Sequence, residues 1–376
     1  MCENFNLHKI DLNNSVQINN GLNETSGDGA SLAFDTKYGI MFCAYMPGHH
    51  GSYGESRGRV SLSYFPASQP TNIRYVTIAE GHTEYAPNIL GLGNGKVRVS
   101  YEINARDKGD HPVCYKDFDY LTGELSEEKT IMVKKENGEL VGLCQSVEFE
   151  YLDGNGYHEH HHNITEQIIF GGHTPFRDEN GTVYGAITTE YSEVILYRSE
   201  DDMATLEFFA VFPEPVTYEF DYKYLNGRLH ALYRTHYDND NHRYAYSDDN
   251  GKTWSTPVAV SDSIGCRPRM IVHNGHILMA YNVYNNDTGN RPNIPTGRCQ
   301  LKLTLGECED PNDNPCVIDV QSKYGIVNIA LVDIMGDAYM AYSTSECALE
   351  YHNGNSAVRG KDAIRYIKLG DLSTKV

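Results

Sequence analysis

One layout recurs along this chain and restricts its fold more than any other feature. A strand-like run ends in a glycine turn, and a second run of β-branched and aromatic residues follows. A polar loop and a third run come next. The segments are SLAFDTKYGIMFCAYM, APNILGLGNGKVRVSYEI, TPFRDENGTVYGAITTEY, YEFDYKYLNGRLHALYRT, RPRMIVHNGHILMAYNVY and NIALVDIMGDAYMAYSTS. Their turn glycines are Gly39, Gly95, Gly181, Gly227, Gly275 and Gly336, at spacings of 56, 86, 46, 48 and 61 residues. Long amphipathic helices are absent. Units of about 45–60 residues, each yielding three or four strands, predict an all-β, single-domain β-propeller over residues 1–376. Seven blades are favoured and six are allowed. The 86-residue interval has room for a degenerate blade or an insertion over 124–170. The N-terminal segment is expected to close the ring against the last blade.

Strands in a blade run up and down. The glycine turns and the third-to-fourth turns therefore share one face, and the longer loops and blade crossings share the other. Those loops concentrate basic and imidazole groups: PGHHGSYGESRGR, NARDKGDHP, RTHYDNDNHR, NNDTGNRPNIPTGR and HNGNSAVRGK, with EGHTEYAP, GGHTPF and GCRPR at crossings. Eight residues before each turn glycine stand Ser31, Pro87, His173, Glu219, Arg267 and Asn328. Strand alternation puts this position on one side of the strand. The expectation is a polar ring at the loop end of the channel, because His, Glu and Arg are costly to bury unless used or paired.

A net charge of −20 makes these cations notable. It also argues against nucleic acid or an anionic membrane as a partner. There is no run of 18 apolar residues and no apolar leader core in MCENFNLHKIDLNN. As given, the chain reads as cytoplasmic, or as secreted or periplasmic if a leader has been removed. Nine cysteines without paired spacing read as reduced thiols. Arginines around one mouth suit a carboxylate, which they bind bidentately, and histidine moves protons near neutral pH. Uronic and sialic acids both fit. At a uronate the economical reaction is β-elimination: a base takes the C5 proton, a cation neutralises the carboxylate, and an acid protonates the leaving O4.

Ser247–Trp254, SDDNGKTW, matches the Asp-box, the third-to-fourth-strand turn of sialidase-type propellers. Asp248 and Asp249 are read as structural, because this turn faces away from the loop end. The blade pattern resembles the sialidase superfamily over most of the chain, although the Arg-Ile-Pro segment of true sialidases is missing. That family's chemistry uses three arginines on the sialic acid carboxylate, a tyrosine nucleophile helped by a glutamate, and an aspartic acid. The GHH loop and GHTEYAP more closely resemble the propeller polysaccharide lyases that cleave ulvan or rhamnosyl-glucuronate, and the related α-L-rhamnosidases. The resemblance implies that His49 or His50 and then His82 form the histidine pair, with Tyr115, Tyr191 or Tyr237 as the tyrosine. It also implies that Arg234 and Arg267 bind the carboxylate; His173, Glu219 and His236 are expected to line the substrate. The expected ligand is an acidic oligosaccharide or polysaccharide. Rhamnose hydrolysis, sialoside hydrolysis and glycan binding without catalysis are the alternatives. No cofactor is required. YHEHHHN (157–163) reads as a solvated loop rather than a metal site. Cys299, Cys308 and Cys316 read as free thiols rather than zinc ligands, and DNDN and NNDTGN lack a full calcium set.

Overall fold

A computed structural model describes residues 9–19, 27–47, 59–80, 87–103, 112–144, 148–153, 156–161, 168–169, 173–189, 194–214, 217–235, 241–260, 262–263, 267–285, 297–307, 311–313, 315–322, 325–345 and 363–373. The strands form six blades, each ordered from the axis outward. Blade 1 is Gly27–Asp35, Ile40–Pro47, Arg59–Pro66 and Arg74–Glu80. Blade 2 is Asn88–Gly93, Lys96–Glu102 and Val113–Asp119, edged by Glu124–Leu125 and Lys129–Thr130. Blade 3 is Ile168–Ile169 and Phe176–Arg177, then Val183–Thr189, Val194–Ser199 and Thr205–Phe212. Blade 4 is Thr217–Leu225, Arg228–Thr235, His242–Ser247 and Val258–Ala259. Blade 5 is Arg269–His273, His276–Asn285, Gly297–Gly306 and Cys316–Gln321. Blade 6 is Gly325–Ile334, Asp337–Ser345 and Ile364–Gly370.

The favoured count of seven is therefore corrected to six. The 86-residue interval does not make another blade. Met132–Lys134 pairs in parallel with the outer strand of blade 3 and carries Leu140–Gly142 beyond it. Glu148–Asp153 and Gly156–His161 pair as a separate hairpin. Tyr157–His161, expected in a loop, is thus strand. The N-terminal segment closes the ring as expected: Val16–Gln17 pairs antiparallel with Ile364–Gly370 as the outer strand of blade 6. Arg365 fixes this closure by donating from Nε to the Ser15 hydroxyl at 2.8 Å and from Nη2 to the Ser15 carbonyl at 2.7 Å.

Six apolar clusters, one between each pair of neighbouring blades, complete the circle. Phe42, Val60 and Phe118 join blades 1 and 2; Val113, Ile187 and Leu206 join 2 and 3; Ala186, Phe212 and Tyr233 join 3 and 4. Leu232, Met270 and Met279 join 4 and 5; Leu278, Leu303 and Ile329 join 5 and 6; Leu32, Met41 and Ala341 join 6 and 1. Each fully buried aliphatic or aromatic side chain contributes about 1.5–3 kcal/mol, so every blade draws stability from both neighbours.

The second strand of each blade keeps one internal code. Five, six and seven residues after the turn glycine come a small residue, a tyrosine and a polar residue in Ser100-Tyr101-Glu102, Ala280-Tyr281-Asn282 and Ala341-Tyr342-Ser343, while blade 1 has Ala44-Tyr45-Met46, with an apolar residue at the third place. Blade 4 has Leu232-Tyr233-Arg234 and blade 3 has Ala186-Ile187-Thr188. The tyrosines are at most 2% exposed. Tyr101 donates to Glu128 at 2.7 Å, Tyr233 donates to Glu214, and Tyr342 shares a 2.7 Å hydrogen bond with Ser15. Burial pushes the phenols of Tyr101, Tyr233 and Tyr281 up, so they remain neutral struts between elements.

The turn face is built from local chemistry. The six glycines have φ between 68° and 93°, and Asn94, Asn226 and Asn274 precede three of them at φ near 50°. In these three Asn-Gly turns this is the two-residue hairpin geometry that matches strand twist. In the Ser247–Trp254 turn, Ser247 Oγ donates to Asp249 at 2.8 Å and accepts the Gly251 N–H at 2.8 Å, and Asp249 accepts the Thr253 N–H at 2.8 Å. Blade 3 repeats this net where a single such turn was expected. Ser199 Oγ donates to Asp201 at 2.9 Å and accepts the Met203 N–H at 2.8 Å, and Asp201 accepts the Thr205 N–H at 2.8 Å. Met203 takes the glycine's place at φ 70°, and Leu206 takes the tryptophan's.

Candidate functional site

The long loops join strand ends opposite the turn face. His49, His50, His82, His236 and Tyr237 all lie outside the described residues, so the expected histidine pair has no geometry here. Three of the remaining expected residues are brought together. Glu219, on the innermost strand of blade 4, pairs across the ladder with Arg234. Arg234 Nη1 donates to Glu219 Oε2 at 3.1 Å, and Arg267 Nε lies 3.7 Å from Glu219 Oε1. All three side chains are 11–12% exposed. Burial raises the Glu219 carboxyl, but Arg234 and then Arg267 outweigh it and hold it below the usual carboxylate range. Glu219 is therefore a fixed anion that aligns two guanidiniums.

The register explains why these residues meet. A bulge between Thr217 and Glu219 ends the innermost strand of blade 4, setting Glu219 opposite Arg234. In blade 5, Arg269 pairs with Ala280, so Arg267 lies level with Asn282. The expected single polar ring is corrected: equal counts back from the glycine do not reach equal heights. The four-residue turn of blade 1 sets Ser31 opposite Ala44, and Asn328 falls inside a bulge between Val327 and Ala330. Counting forward along the unbulged second strand is the better ruler. Its seventh position is Met46 in blade 1 and holds Glu102, Thr188, Arg234, Asn282 and Ser343 in the other five blades, those five all buried or nearly so.

His173 is close to this cluster in a different role. Its Nδ1–H donates to the Phe220 carbonyl, and its Nε2 accepts from the Thr188 hydroxyl at 2.7 Å. Both ring nitrogens are engaged and the residue is 2% exposed. Burial, then Arg269, lowers its pKa well below the usual histidine value, so it is neutral at pH 7. It acts as a latch from blade 3 onto the strand carrying Glu219. Tyr115 is elsewhere: it is 5% exposed in the cluster between blades 2 and 3, with the Arg98 guanidinium 4.0 Å over its ring.

Three further charges belong to this corner. Arg269 is 3% exposed, and burial, partly opposed by Asp221, lowers its pKa to about 10, which leaves it charged. Lys223 donates to Asp221 at 2.7 Å, and Asp221 accepts the Met270 N–H at 2.9 Å, tying blade 4 to blade 5. The signal for Asp221 and Lys223 was the alternation of Glu219, Asp221 and Lys223 along YEFDYKYL, charged residues on one side of an innermost strand. Among the described residues, the corner sets Arg234, Arg267, Arg269 and Lys223 against Glu219 and Asp221. It is a cationic locus in a chain of charge −20, suited to an anionic group. Among the described residues, no cluster of His, Cys, Asp and Glu is arranged to hold a metal ion, and no helix is long and apolar enough to cross a membrane.

The fold is that of the sialidase-type propellers. No family model matches the sequence, and no curated protein matches it significantly. Among solved structures, the chain is similar to a protein of unknown function from Dyadobacter fermentans, at TM-score 0.62 and 13% identity over 94% of this chain and 97% of that one. It is also similar to the Trypanosoma rangeli sialidase bound to 2,3-difluorosialic acid, at TM-score 0.57 and 12% identity over 95% of this chain and 57% of that one. The NanB sialidase of Streptococcus pneumoniae follows at TM-score 0.53 and 12% identity, over 94% and 70%. The chain spans little more than half of the trypanosomal protein.

Proposed function

We propose that this propeller is an enzyme acting on carboxylate-bearing glycans, cleaving at a glucuronate by β-elimination. The observation that carries the reading is the pair of guanidiniums, Arg234 and Arg267, aligned by the ionised Glu219 within a cationic corner. A sugar carboxylate gripped there loses charge repulsion at C5, and its C5 proton becomes more acidic. In this reading His50 or His82 removes the C5 proton and the C4–C5 double bond forms. The C4–O4 bond breaks, and a tyrosine or the second histidine returns a proton to O4. In the same reading His49 orients its neighbour, and His236 and Tyr237 are expected to line the substrate.

A second reading, hydrolysis of a sialoside, is supported by the sialidase-type fold and by the glutamate–arginine pair at the axial end of blade 4. One screen separates the readings. The protein is incubated with rhamnosyl-glucuronate oligosaccharides, other uronate glycans and a fluorogenic sialoside, following both the ultraviolet absorbance of an unsaturated uronate and the sugars released. Elimination gives the absorbance, and His50→Ala and His82→Ala abolish it. Free rhamnose without absorbance means a rhamnosidase; release of the fluorophore means a sialidase. Binding without turnover means a lectin-like propeller, and no response to any carboxylated glycan overturns the proposal.

A further inference from the structure

We infer that Asp221, backed by Lys223, is a positioning residue of the candidate site, fixing the height of Arg267 against Glu219; this rests on the function proposed above. Glu219 and Asp221 stand on one side of the innermost strand of blade 4, a rise of about 7 Å apart. Asp221 Oδ1 accepts from Lys223 Nζ at 2.7 Å, and its Oδ2 accepts the Met270 N–H at 2.9 Å. Lys223 Nζ also donates to the Tyr222 carbonyl at 2.9 Å and to the Thr174 carbonyl at 3.2 Å. All the donors of the ammonium are thus engaged by protein. The pair reaches back to blade 3 through Thr174, the neighbour of His173, and forward to blade 5 through Met270.

Arg267 needs such a bracket. It precedes the first ladder pair of blade 5, Arg269 with Ala280. Pro268, between Arg267 and that pair, has no N–H to give to a ladder. The Met270 N–H, three residues beyond Arg267, ties this end of the strand to blade 4. Arg267 Nε then stands 3.7 Å from Glu219 Oε1. A slip of one residue along the strand displaces Arg267 by about 3.3 Å, nearly the whole of that separation, and turns its side chain to the other face.

Stability alone does not account for the pair. The Asp221 and Lys223 side chains are 1% and 5% exposed. Desolvation cancels most of the attraction between two such charges, so an apolar pair of similar size holds blades together as well. Apolar contacts can slide, whereas an ionised acceptor holds one N–H at one height. Blades 1 and 2 carry a bond of the same kind at the turn face, where Asp35 Oδ2 accepts the Gly95 N–H at 2.6 Å. That bond also joins neighbouring blades, but at the opposite end from the arginine pair, and it serves as the internal control.

Two measurements test the assignment. Amide exchange of the wild-type protein is followed with and without a glucuronate-terminated oligosaccharide or sialyllactose. Positioning couples the Met270 bond to the ligand, and such coupling is reciprocal, so bound glycan is expected to slow exchange at the Met270 N–H about tenfold more than at the Gly95 N–H. Equal slowing at the two amides, or none at Met270, makes Asp221 a structural residue and overturns the assignment. Affinity for the same glycans is then measured for folded Asp221→Ala and Asp221→Asn. Asp221→Ala is expected to weaken binding about tenfold, and Asp221→Asn, whose Oδ1 still accepts the Met270 N–H, to recover most of that loss. An alanine variant that binds like wild type overturns the assignment, and so does an asparagine variant as weak as alanine. If Asp221→Ala does not fold, the exchange measurement on wild type decides. If wild type binds neither glycan, the functional reading has failed and this assignment falls with it; binding with equal slowing at both amides sinks this assignment alone.

Discussion

Blades 3 and 4 are nearly identical at one end and chemically opposite at the other. At the turn face, Ser199-Asp201-Met203-Thr205 and Ser247-Asp249-Gly251-Thr253 make the same hydrogen bonds at closely matching lengths. At the axial loop end, blade 3 places His173 against Thr188, and blade 4 places Glu219 against Arg234. The first pair is neutral and closed, with both imidazole nitrogens engaged by protein. The second is ionised and lies beside two more arginines. The repeat keeps the part that folds a blade and leaves its axial positions free to differ. The same scaffold position thus serves as a latch in one blade and as part of a candidate site in the next.

The contrast is broken most severely at the charged pair. Arg234→Ala leaves Glu219 buried with Arg267 alone and costs about 3 kcal/mol of stability, the penalty for removing one partner of a buried ion pair. Thr188→Val, in blade 3, leaves His173 without a donor on Nε2 and costs about 1 kcal/mol. Urea midpoints of the two variants measure the difference, and equal losses would mean that the two pairs are equivalent.

A pH titration of stability sharpens the comparison. His173 has a folded pKa depressed below its unfolded value, so below about pH 6.5 the unfolded chain takes a proton that the folded chain refuses. Stability then falls with pH by about 1.4 kcal/mol per unit for each such group. His230, lowered to about 4 by burial, contributes in the same window. His173→Gln is expected to reduce the slope between pH 6.5 and 5 by about one proton without removing it. Glu219 is also depressed, and its contribution is present above its unfolded pKa and lost as pH falls through the folded one. Glu219→Gln therefore changes the curve only below about pH 4.3. If both substitutions altered the same window, the assignment of one neutral and one ionised position would be wrong.

The smallest effects come from the shared turn. Ser199→Ala and Ser247→Ala are each expected to lower stability by about 1 kcal/mol and by similar amounts, because each serine donates one hydrogen bond and accepts the same backbone N–H. Asp248→Asn, one residue along, leaves both glycan turnover and the urea midpoint unchanged, since Asp248 only meets Arg228 at the surface. Loss of activity on that substitution would move chemistry to the turn face.

Much of the scaffold was legible because it is local. The six glycine turns, the strand alternation and the SDDNGKTW net depend on residues within a few positions of one another. The second net was hidden because Met203 and Leu206 replace the glycine and tryptophan of the expected pattern, while Ser199, Asp201 and Thr205 retain the hydrogen bonds. Of the two blade counts the repeat spacing allowed, the favoured seven gave way to six because residues 132–134 and 140–142 join the edge of blade 3, and 148–153 with 156–161 supply a hairpin outside the six blades. Of the expected site residues, Glu219, Arg234 and Arg267 converge. His173 faces inward as a latch, and Tyr115 packs between blades.

The sequence by itself determined the all-β repeat, the direction in which each loop leaves its blade and the excess of cations on one set of loops, because these follow from strand period and turn chemistry. Only the tertiary structure decided that there are six blades, which polar residues share a height, and which of them are ionised. Those outcomes depend on bulges that shift register by one or two residues and on charges from neighbouring blades, separated by tens of residues in the chain and by a few ångströms around the axis.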